Sequence, residues 1–332
     1  MSGLAHVMLE RGGAVSGSDL AASAATSRLE AMGARIYIGH DERHVRRERP
    51  DMVVVSSAVP AHNPELEYAR RHGIPVLTRA EMLARLMENR CGIAVAGTHG
   101  KTTVTSMIAL VLEQGGLDPT VVIGGELNDI GSNAKVGEGP HFVAEADESD
   151  RSFLRLSPSI AVVTNVEAEH LENYAGLEDI KAAFRAFLAK LPKDGLAVVC
   201  GDDANARAAA PDHCRVVTYG LGEGHDYTAA DVELFPMGSR AVVREQGAPL
   251  GIMVLRVPGL HNIANALAAV AVGRALNLPF GVIAQALGAF RGAKRRLEVL
   301  GEVRDVLIID DYAHHPTEIR ATLAALRNME RR

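Results

Sequence analysis

The chain has 332 residues, of which 47% are hydrophobic and 4% aromatic, and it carries a formal net charge of −6 without any tryptophan. This length exceeds one ordinary hydrophobic core, so we expect two or three domains. The charge balance excludes a general nucleic-acid binder, because no broad positive field is available for phosphate backbones, and the few aromatics disfavour a stacking platform for single strands.

The first ninety residues alternate short helix and strand patterns, which predicts a doubly wound sheet. The β-branched run DMVVVS is typical of a parallel strand covered on both faces. Asp19 stands where a nucleotide-binding βαβ fold places an acidic residue for a ribose or base. The strand and glycine-rich turn that open such a fold are absent, so we expect the true N-terminus to be missing. Helices are predicted at 2–11, 23–32, 64–72 and 79–89, and strands at 14–17, 34–38, 51–56 and 76–77.

A second α/β unit begins at Cys91, and a third at Val303. In the second unit, buried strands are predicted at 92–96, 120–123, 141–145, 160–164 and 197–200, an antiparallel stretch at 220–258, and helices at 102–114 and 262–276. The third unit has a predicted strand at 306–310 and a helix at 316–327. Because one βα unit cannot cover both faces of a parallel strand, we expect this domain to be cut short or completed by something else.

The turn between the strand at 92–96 and the following helix carries the strongest chemical signal. Its sequence is Gly97-Thr98-His99-Gly100-Lys101-Thr102-Thr103. Backbone N–H groups of such a turn, together with a helix N-terminus, form a concave site for phosphate oxygens. In this pattern Lys101 reaches the β- and γ-phosphates and the Thr102 hydroxyl binds Mg²⁺. Val95 stands where the full phosphate-loop pattern has its first glycine, and a tight turn with a solvated lysine is the alternative.

An acidic run, EADESD at 145–150, follows the predicted strand at 141–145. Carboxylates at the C-terminal edge of a parallel sheet lie where ligands bind, beside the phosphate turn. Four acids within six residues suit a hard divalent cation. A solvated acidic loop is the alternative, and the position at a strand end favours the metal.

Two further motifs stay open from the residues alone. His170 follows another buried strand, but Mg²⁺ prefers oxygen ligands, so its role is undecided. Asn262 is a plausible helix cap, while Asn265 is either an exposed residue or a reader of an adenine edge.

Basic and histidine residues near the predicted third unit are similarly ambiguous. The run at 294–296 is either solvated or a phosphate clamp at a domain junction. His314 and His315 are adjacent in sequence and therefore do not face the same way, which disfavours a metal site made by that pair.

Cysteine content and hydropathy indicate the compartment. Cys91, Cys200 and Cys214 are widely spaced without a Cys-x-x-Cys pair, which predicts reduced thiols. No apolar run approaches the roughly 18 residues that span a bilayer, and no signal-peptide pattern opens the chain. We therefore expect a cytoplasmic protein without a membrane partner, of undetermined oligomeric state.

Together, the motifs resemble those of the ATP-dependent Mur ligases of peptidoglycan synthesis. The resemblance covers nearly the whole chain and rests on GTHGKTT, EADESD, TNVEAEH, GLHNIANALAA, KRRLE and DDYAHHPTE, in that order. Several of these motifs are shared with folylpolyglutamate synthases. Those enzymes, and the ligases that add meso-diaminopimelate, have other residues at the position of His315. EADESD and TNVEAEHLENY favour the members that add L-alanine over the ligase that recycles muropeptides. The family usually has aspartate at the positions of Glu169 and Glu172, and both replacements keep the charge.

The resemblance implies an α/β fold with a Rossmann-like N-terminal domain at 1–89, a central P-loop-type mononucleotide-binding domain at 90–294 and a partial Rossmann-like C-terminal domain at 295–332. It implies ATP and Mg²⁺ as cofactors, with UDP-N-acetylmuramate and L-alanine as partners. By position, seven residues would bind the phosphates of ATP: Gly97, Thr98, His99, Gly100, Lys101, Thr102 and Thr103. Thr102, Glu145 and His170 would hold two Mg²⁺ ions, Asn265 would meet the adenine, and Arg296 and Asp311 would meet the phosphates and ribose of the nucleotide. Tyr312 and His314 would lie near ATP and L-alanine, and the UDP portion would meet Ser18, Asp19, Ser56 and Ser57.

The implied reaction converts the lactyl carboxylate of UDP-N-acetylmuramate to an acyl phosphate, which the amine of L-alanine attacks, with Lys101, His170 and His314 as catalytic residues. Two alternatives remain: a related ligase for another amino acid or peptide, and an inactive nucleotide-binding fragment. Because the glycine turn for the UDP diphosphate and the basic residues beyond Arg332 are absent, we expect this chain to bind ATP and Mg²⁺ with little or no turnover.

Overall fold

The computed structural model describes residues 1–124 and 133–329, and over these ranges the chain has the predicted α/β fold. Arg332 lies outside the described residues. Within the described ranges, no helix combines the length and the apolar character needed to cross a membrane.

The front unit, residues 1–87, contains two separate parallel strand pairs instead of the single doubly wound sheet that we predicted. Strand β1 (Ser16–Asp19) pairs with β2 (Arg35–Ile38), and β3 (Val53–Val55) pairs with β4 (Val76–Thr78). The residues of β3 are only half-buried, so the expected full cover on both faces of this strand is wrong. The helices are α1 (Ser2–Glu10), α2 (Ala24–Ala31), α3 (Glu42–Glu48), α4 (Pro64–Arg71) and α5 (Arg79–Met87).

A sheet of ten strands forms the central unit. Its spatial order, from one edge to the other, is β14-β13-β12-β11-β10-β9-β5-β8-β6-β7. The middle strands are parallel and buried on both faces, as such strands must be, whereas the hairpins of β12, β13 and β14 are antiparallel, as predicted. The strands are β5 (Cys91–Ala96), β6 (Thr120–Val122), β7 (Ala134–Lys135), β8 (His141–Glu145), β9 (Ile160–Val163), β10 (Leu196–Cys200), β11 (Arg215–Gly220), β12 (Tyr227–Phe235), β13 (Gly238–Glu245) and β14 (Ala248–Leu255).

Helices cover both faces of this sheet and divide the core into two clusters. Successive residues of β5 alternate between the clusters: Ile93 belongs to one, with α6, α9 and α10, and Ala94 belongs to the other, with α7. The second cluster also takes Leu4 of α1 and Leu83 of α5. Two helices of the front unit are therefore packed into the central core. The helices of the central unit are α6 (Lys101–Gln114), α7 (Leu177–Leu188), α8 (Ala204–Ala209), α9 (Leu260–Ala275) and α10 (Phe280–Ala289), with a 3₁₀ turn at Ser152–Arg155.

The third unit is a hairpin followed by a helix. Strand β16 (Val306–Asp310) and helix α11 (Pro316–Arg327) have the predicted bounds, but β16 pairs in antiparallel orientation with β15 (Glu298–Val303), a strand that we did not predict. Its two-residue turn places Arg304 and Asp305 at φ of 50° and 63°. Tight hairpins favour asparagine and glycine at such positions, so the sequence gives no hairpin signal here.

Candidate active site

The phosphate turn connects β5 to α6, and its backbone requires glycine at two places. Gly97 has φ of 142°, and a Cβ added there would lie 1.9 Å from the Oγ1 of Thr164. Gly100, the residue before α6, has φ of 80°, and its Cβ would lie 2.9 Å from the Oδ1 of Asn265. Both positions combine a left-handed backbone with a close neighbour, so the turn is fixed by its surroundings.

A second loop, which follows β9, holds the phosphate turn in place. Thr164 Oγ1 donates a hydrogen bond to the carbonyl of His99 at 2.5 Å, and Asn165 Oδ1 accepts one from His99 N–H at 2.8 Å. The N–H of Glu167 donates to Thr98 Oγ1 at 2.9 Å. The start of the TNVEAEH motif thus supports the turn, a role that the sequence alone did not reveal because the two loops are far apart along the chain.

The side chain of Lys101 lies inside the turn with 15% of its surface exposed. Its Nζ donates hydrogen bonds to the carbonyls of Gly97 and Thr98, at 2.7 and 3.1 Å, and to Glu148 at 2.9 Å. Burial alone would lower the pKa of Lys101, but the carboxylates of Glu148, Glu145 and Asp147 outweigh it and raise the pKa. The turn therefore contains a protonated amine.

Glu148 is the buried partner of that amine, with only 3% of its residue surface exposed. Burial raises the pKa of Glu148 to about 7, although Lys101 acts in the opposite direction. The Tyr174 hydroxyl donates to the backbone carbonyl of Glu148 at 2.5 Å and fixes this segment.

The predicted metal ligands fall into two neighbouring groups. Thr102 Oγ1 lies 3.1 Å from both carboxylate oxygens of Glu145, which also accepts the N–H of Gly124 at 2.8 Å. His170 lies in the other group, with its Nε2 3.9 Å from both Glu148 and Glu169. The structure therefore brings Thr102 and Glu145 together, while His170 sits among different carboxylates.

A cleft with a volume of about 170 Å³ lies between the phosphate turn, the start of α9 and the third unit. Asn265, Arg296 and Asp311 line it, so three residues predicted for the nucleotide share this space with Thr102. Asn262 is not the cap of α9: the cap is Gly259, and Asn262 lies in the first turn, where its Nδ2 donates to Pro258 O at 2.8 Å. This difference arises because α9 begins two residues earlier than predicted.

Tyr312 and His314 are more exposed than the residues lining the cleft. Tyr312 is 51% exposed, and the guanidinium groups of Arg295 and Arg296 lie 4.8 and 5.7 Å from its ring centre. The Nε2 of His314 lies 3.5 Å from Glu169. His314 therefore lies close to the carboxylates that surround His170. The sequence gave no indication of this proximity.

The predicted UDP residues occupy two different places. Ser56 and Ser57 line a second cleft, of about 470 Å³, between the front and central units, together with Arg79 and Asp147. Ser18 and Asp19 lie at the end of β1, where Ser18 Oγ donates to Glu65 at 2.5 Å and Asp19 is exposed. Sequence analysis missed Arg79, because a charged residue at the start of a helix is common and carries no functional signal.

Three family models match this chain and identify its class. They are the Mur ligase family, catalytic domain, at residues 1–90, the Mur ligase middle domain at 95–273 and the Mur ligase, glutamate ligase domain, at 295–332. The chain belongs to the Mur ligase family, as its motifs predicted.

Individual relatives are also highly similar. The UDP-N-acetylmuramate–L-alanine ligase of Desulforamulus reducens is 54% identical over 330 residues, which cover 98% of this chain and 71% of the relative. The enzyme of the same name from Geotalea uraniireducens is 52% identical, with 98% and 71% covered. The crystal structure of UDP-N-acetylmuramate-alanine ligase from Thermotoga maritima superposes with a TM-score of 0.86 at 31% identity, covering 99% of this chain and 75% of that one.

Proposed function

We propose that this protein is an ATP-dependent ligase that joins L-alanine to the lactyl carboxylate of UDP-N-acetylmuramate during synthesis of the peptidoglycan precursor. The observation that carries the proposal is the protonated Lys101 held within a phosphate turn, one residue before the hydroxyl of Thr102 that meets Glu145. The names of the relatives support the choice of substrates.

The two clefts support a definite arrangement of the substrates. Asp147 lines the cleft that contains Ser56 and Ser57, and it lies two residues after Glu145, the partner of Thr102. Thr102 itself lines the cleft on the side of the third unit. The acid would therefore approach from the front unit, and the nucleotide would lie between the central and third units.

Amide formation requires activation, because hydroxide is too poor a leaving group for a carboxylate to react with an amine. A carboxylate oxygen bonds to the γ-phosphorus of ATP while the bond to ADP breaks. The amine of L-alanine then attacks the acyl carbon, phosphate leaves with the bonding electrons, and the new amide nitrogen loses its proton. Lys101 offsets the repulsion between the two anions, and one well-placed charge of this kind is commonly worth about 3 kcal/mol or more.

The residues present fit Mg²⁺ at the first of the two groups described above. Thr102 and Glu145 offer only oxygen, the ligand type that Mg²⁺ prefers, and they would hold one ion. His170, with Glu148 and Glu169, would hold a second. Bound there, Mg²⁺ would supply positive charge close to the phosphate turn.

The remaining predicted residues keep their roles as proposals. Gly97, Thr98, His99, Gly100 and Thr103 would surround the phosphates of ATP, Asn265 would meet the adenine, and Arg296 and Asp311 would meet the phosphates and ribose, since all three line the same cleft. Tyr312 and His314 would lie near ATP and L-alanine, and Ser18, Asp19, Ser56 and Ser57 would meet the UDP portion. We propose a cytoplasmic location for the reaction, because it consumes ATP.

Phosphate release from ATP tests the proposal. We expect the full-length protein to release phosphate only when UDP-N-acetylmuramate and L-alanine are both present, and not with glycine or D-glutamate in place of L-alanine. Equal release without an amino acid, or with those substitutes, would reject the specificity. The tripeptide L-alanyl-γ-D-glutamyl-meso-diaminopimelate is the decisive comparison, because a structural neighbour from Neisseria, at 30% identity, is named as a ligase for it.

A further inference from the structure

A second group of potential metal ligands lies where the third unit meets the phosphate turn. It consists of His99, Glu167 and His315, each of which places one ligand atom within 4.8 Å of the other two. His99 belongs to the phosphate turn and Glu167 to the loop after β9, whereas His315 is the residue before α11. The group thus joins the central unit to the third unit.

The distances within this group are too long for direct hydrogen bonds. The Nε2 of His99 lies 3.8 Å from the Oε2 of Glu167, and the Nδ1 of His315 lies 3.7 Å from the same oxygen. Hydrogen bonds between such atoms are about 2.7 to 3.2 Å long. Two ligands of a tetrahedral ion with bonds of about 2 Å lie about 3.3 Å apart, so these atoms need to approach by only about half an ångström to surround a common ion.

His99 is the most telling member, because its Nε2 is buried without a hydrogen-bond partner among the described residues. Its side chain is only 10% exposed. Buried polar atoms are nearly always paired, so an unpaired one calls for a missing partner. This unpaired Nε2 lies near the carboxylate of Glu167, and a cation between the two would bind both.

Glu318 contacts His99 on the opposite side of its imidazole ring. Its Oε1 lies 3.4 Å from the Nδ1 of His99. A carboxylate beside Nδ1 favours a proton on that nitrogen and leaves the lone pair on Nε2, which is how carboxylates orient metal-binding histidines.

Glu167 is held in a similar way. The hydroxyl of Thr317, in the first turn of α11, donates to its Oε2 at 2.8 Å. His315 Nδ1 accepts a long hydrogen bond of 3.3 Å from Thr317 N–H, which binding of an ion at that nitrogen would replace. Both ligands are thus already positioned by the start of α11.

We propose that His99, Glu167 and His315 form a binding site for a divalent transition metal, with Zn²⁺ as the best-suited ion. Two imidazoles and one carboxylate are a common zinc ligand set, which leaves a fourth position for water. Mg²⁺ prefers oxygen ligands, so the two imidazoles of this site disfavour it, whereas Thr102 with Glu145 offers only oxygen and the His170 group offers a single nitrogen. The bound ion connects the third unit to the phosphate turn.

Titration with Co²⁺, in the presence of millimolar Mg²⁺, tests the site through the visible absorption of four-coordinate Co²⁺. We expect the wild-type chain to develop these bands and to lose them when Zn²⁺ is added. His315→Asn keeps an oxygen that can cap α11 but removes the imidazole, so it should weaken Co²⁺ binding by about 100-fold or more. Glu167→Gln, which still accepts from Thr317, should weaken it similarly.

His170→Asn is the matched control, because His170 belongs to the other group, with Glu148 and Glu169. It should keep the Co²⁺ bands that His315→Asn loses. If His170→Asn abolishes binding while His315→Asn retains it, the metal binds at the other group and the proposal is wrong. Absence of binding to the folded wild-type chain would overturn it as well.

Amide hydrogen exchange gives an independent measure of the connection between the units. We expect Zn²⁺ to slow exchange in α11 of the wild-type chain, because the ion ties His315 to two residues of the central unit. In His315→Asn the rates should not respond to Zn²⁺. Equal slowing in both proteins would show that Zn²⁺ acts elsewhere.

Discussion

The central and front units hold their candidate binding residues in different ways. In the central unit the phosphate turn follows a strand buried on both faces, and Lys101 is enclosed by two carbonyls and Glu148. In the front unit, Asp19 is an exposed residue at the end of a four-residue strand, in a sheet of only two strands. The comparison teaches that the phosphate site is shaped by the core before any ligand binds, whereas few contacts fix the front residues.

Lys101→Ala is expected to have the largest effect, since it removes the charge at the centre of the preformed site. In the full-length protein we expect ATP-dependent phosphate release to fall about 1000-fold or more, equivalent to about 4 kcal/mol. The assay is phosphate release with all substrates present, and a thermal melt checks the fold. Lys190→Ala is the control, because Lys190 is exposed just after α7 and should leave activity unchanged. Activity retained in Lys101→Ala would remove the phosphate turn from the mechanism.

Shortening a hydrophobic side chain should cost more unfolding free energy in the central unit than in the front unit. Phe187 is fully buried beneath the central sheet, so Phe187→Ala is expected to cost about 3 to 5 kcal/mol of unfolding free energy. Val54 is only half-buried in β3, and Val54→Ala should cost about 1 kcal/mol because less surface leaves water on folding. Denaturant titration measures both values. Equal costs would mean that the front strands are as firmly packed as the central ones.

Glu148→Gln tests whether burial or Lys101 controls the buried carboxyl. The pKa of Glu148 is raised to about 7 from its ordinary 4.5, so the folded chain holds a proton that the unfolded chain releases. The stability from this proton is complete below pH 4.5 and is lost as the pH rises through 7, whereas glutamine does not titrate.

We therefore expect the stability of Glu148→Gln, relative to the wild type, to increase between pH 5 and pH 8 by about 2 kcal/mol. Unfolding titrations at the two pH values measure this difference. The surface variant Glu67→Gln, exposed on α4, should follow the wild type at both. A difference that stays nearly constant between the two pH values would show that Lys101 dominates and that Glu148 is ionised throughout.

Two glycines with nearly the same backbone conformation provide the test with the smallest expected effect. Gly100 and Gly39 have φ of 80° and 85°, but a Cβ at Gly100 would lie 2.9 Å from Asn265, whereas a Cβ at Gly39 would meet nothing within 4 Å. Alanine should cost about 1 kcal/mol of stability at either position through the backbone alone. Only Gly100→Ala should also weaken ATP binding, measured by equilibrium dialysis. An equal loss of ATP affinity in Gly39→Ala would contradict the separation of the two regions.

Sequence predicted those parts of the molecule whose signal is local. The bounds of β8, β16 and α11 coincide with the predicted ranges, and the phosphate turn was found because its glycines, strand and helix are contiguous in the chain. The family assignment was confirmed, since it rests on motifs that each occupy a few adjacent residues.

Features that depend on distant contacts escaped prediction. The two strand pairs of the front unit were predicted as one sheet, because the pattern of a strand does not reveal its neighbour. Arg79 enters the front cleft only through the packing of α5, and the support of His99 by Asn165 joins loops that are separated in the chain by α6 and the strands β6 to β9. The approach of His315 to His99 likewise depends on how the third unit docks, which no local pattern encodes.

The packing of α1 and α5 into the central core has a consequence for movement of the front unit. Leu4 and Leu83 share a hydrophobic cluster with Phe184, so these helices are bound to the central sheet and cannot swing away with the four front strands. Any opening of the front cleft must bend the backbone at Gly12–Gly13, after α1, and again at Thr78, before α5. Arg79, at the first position of α5, would then stay with the central sheet as a stationary wall of the cleft while Ser56 and Ser57 move towards or away from it.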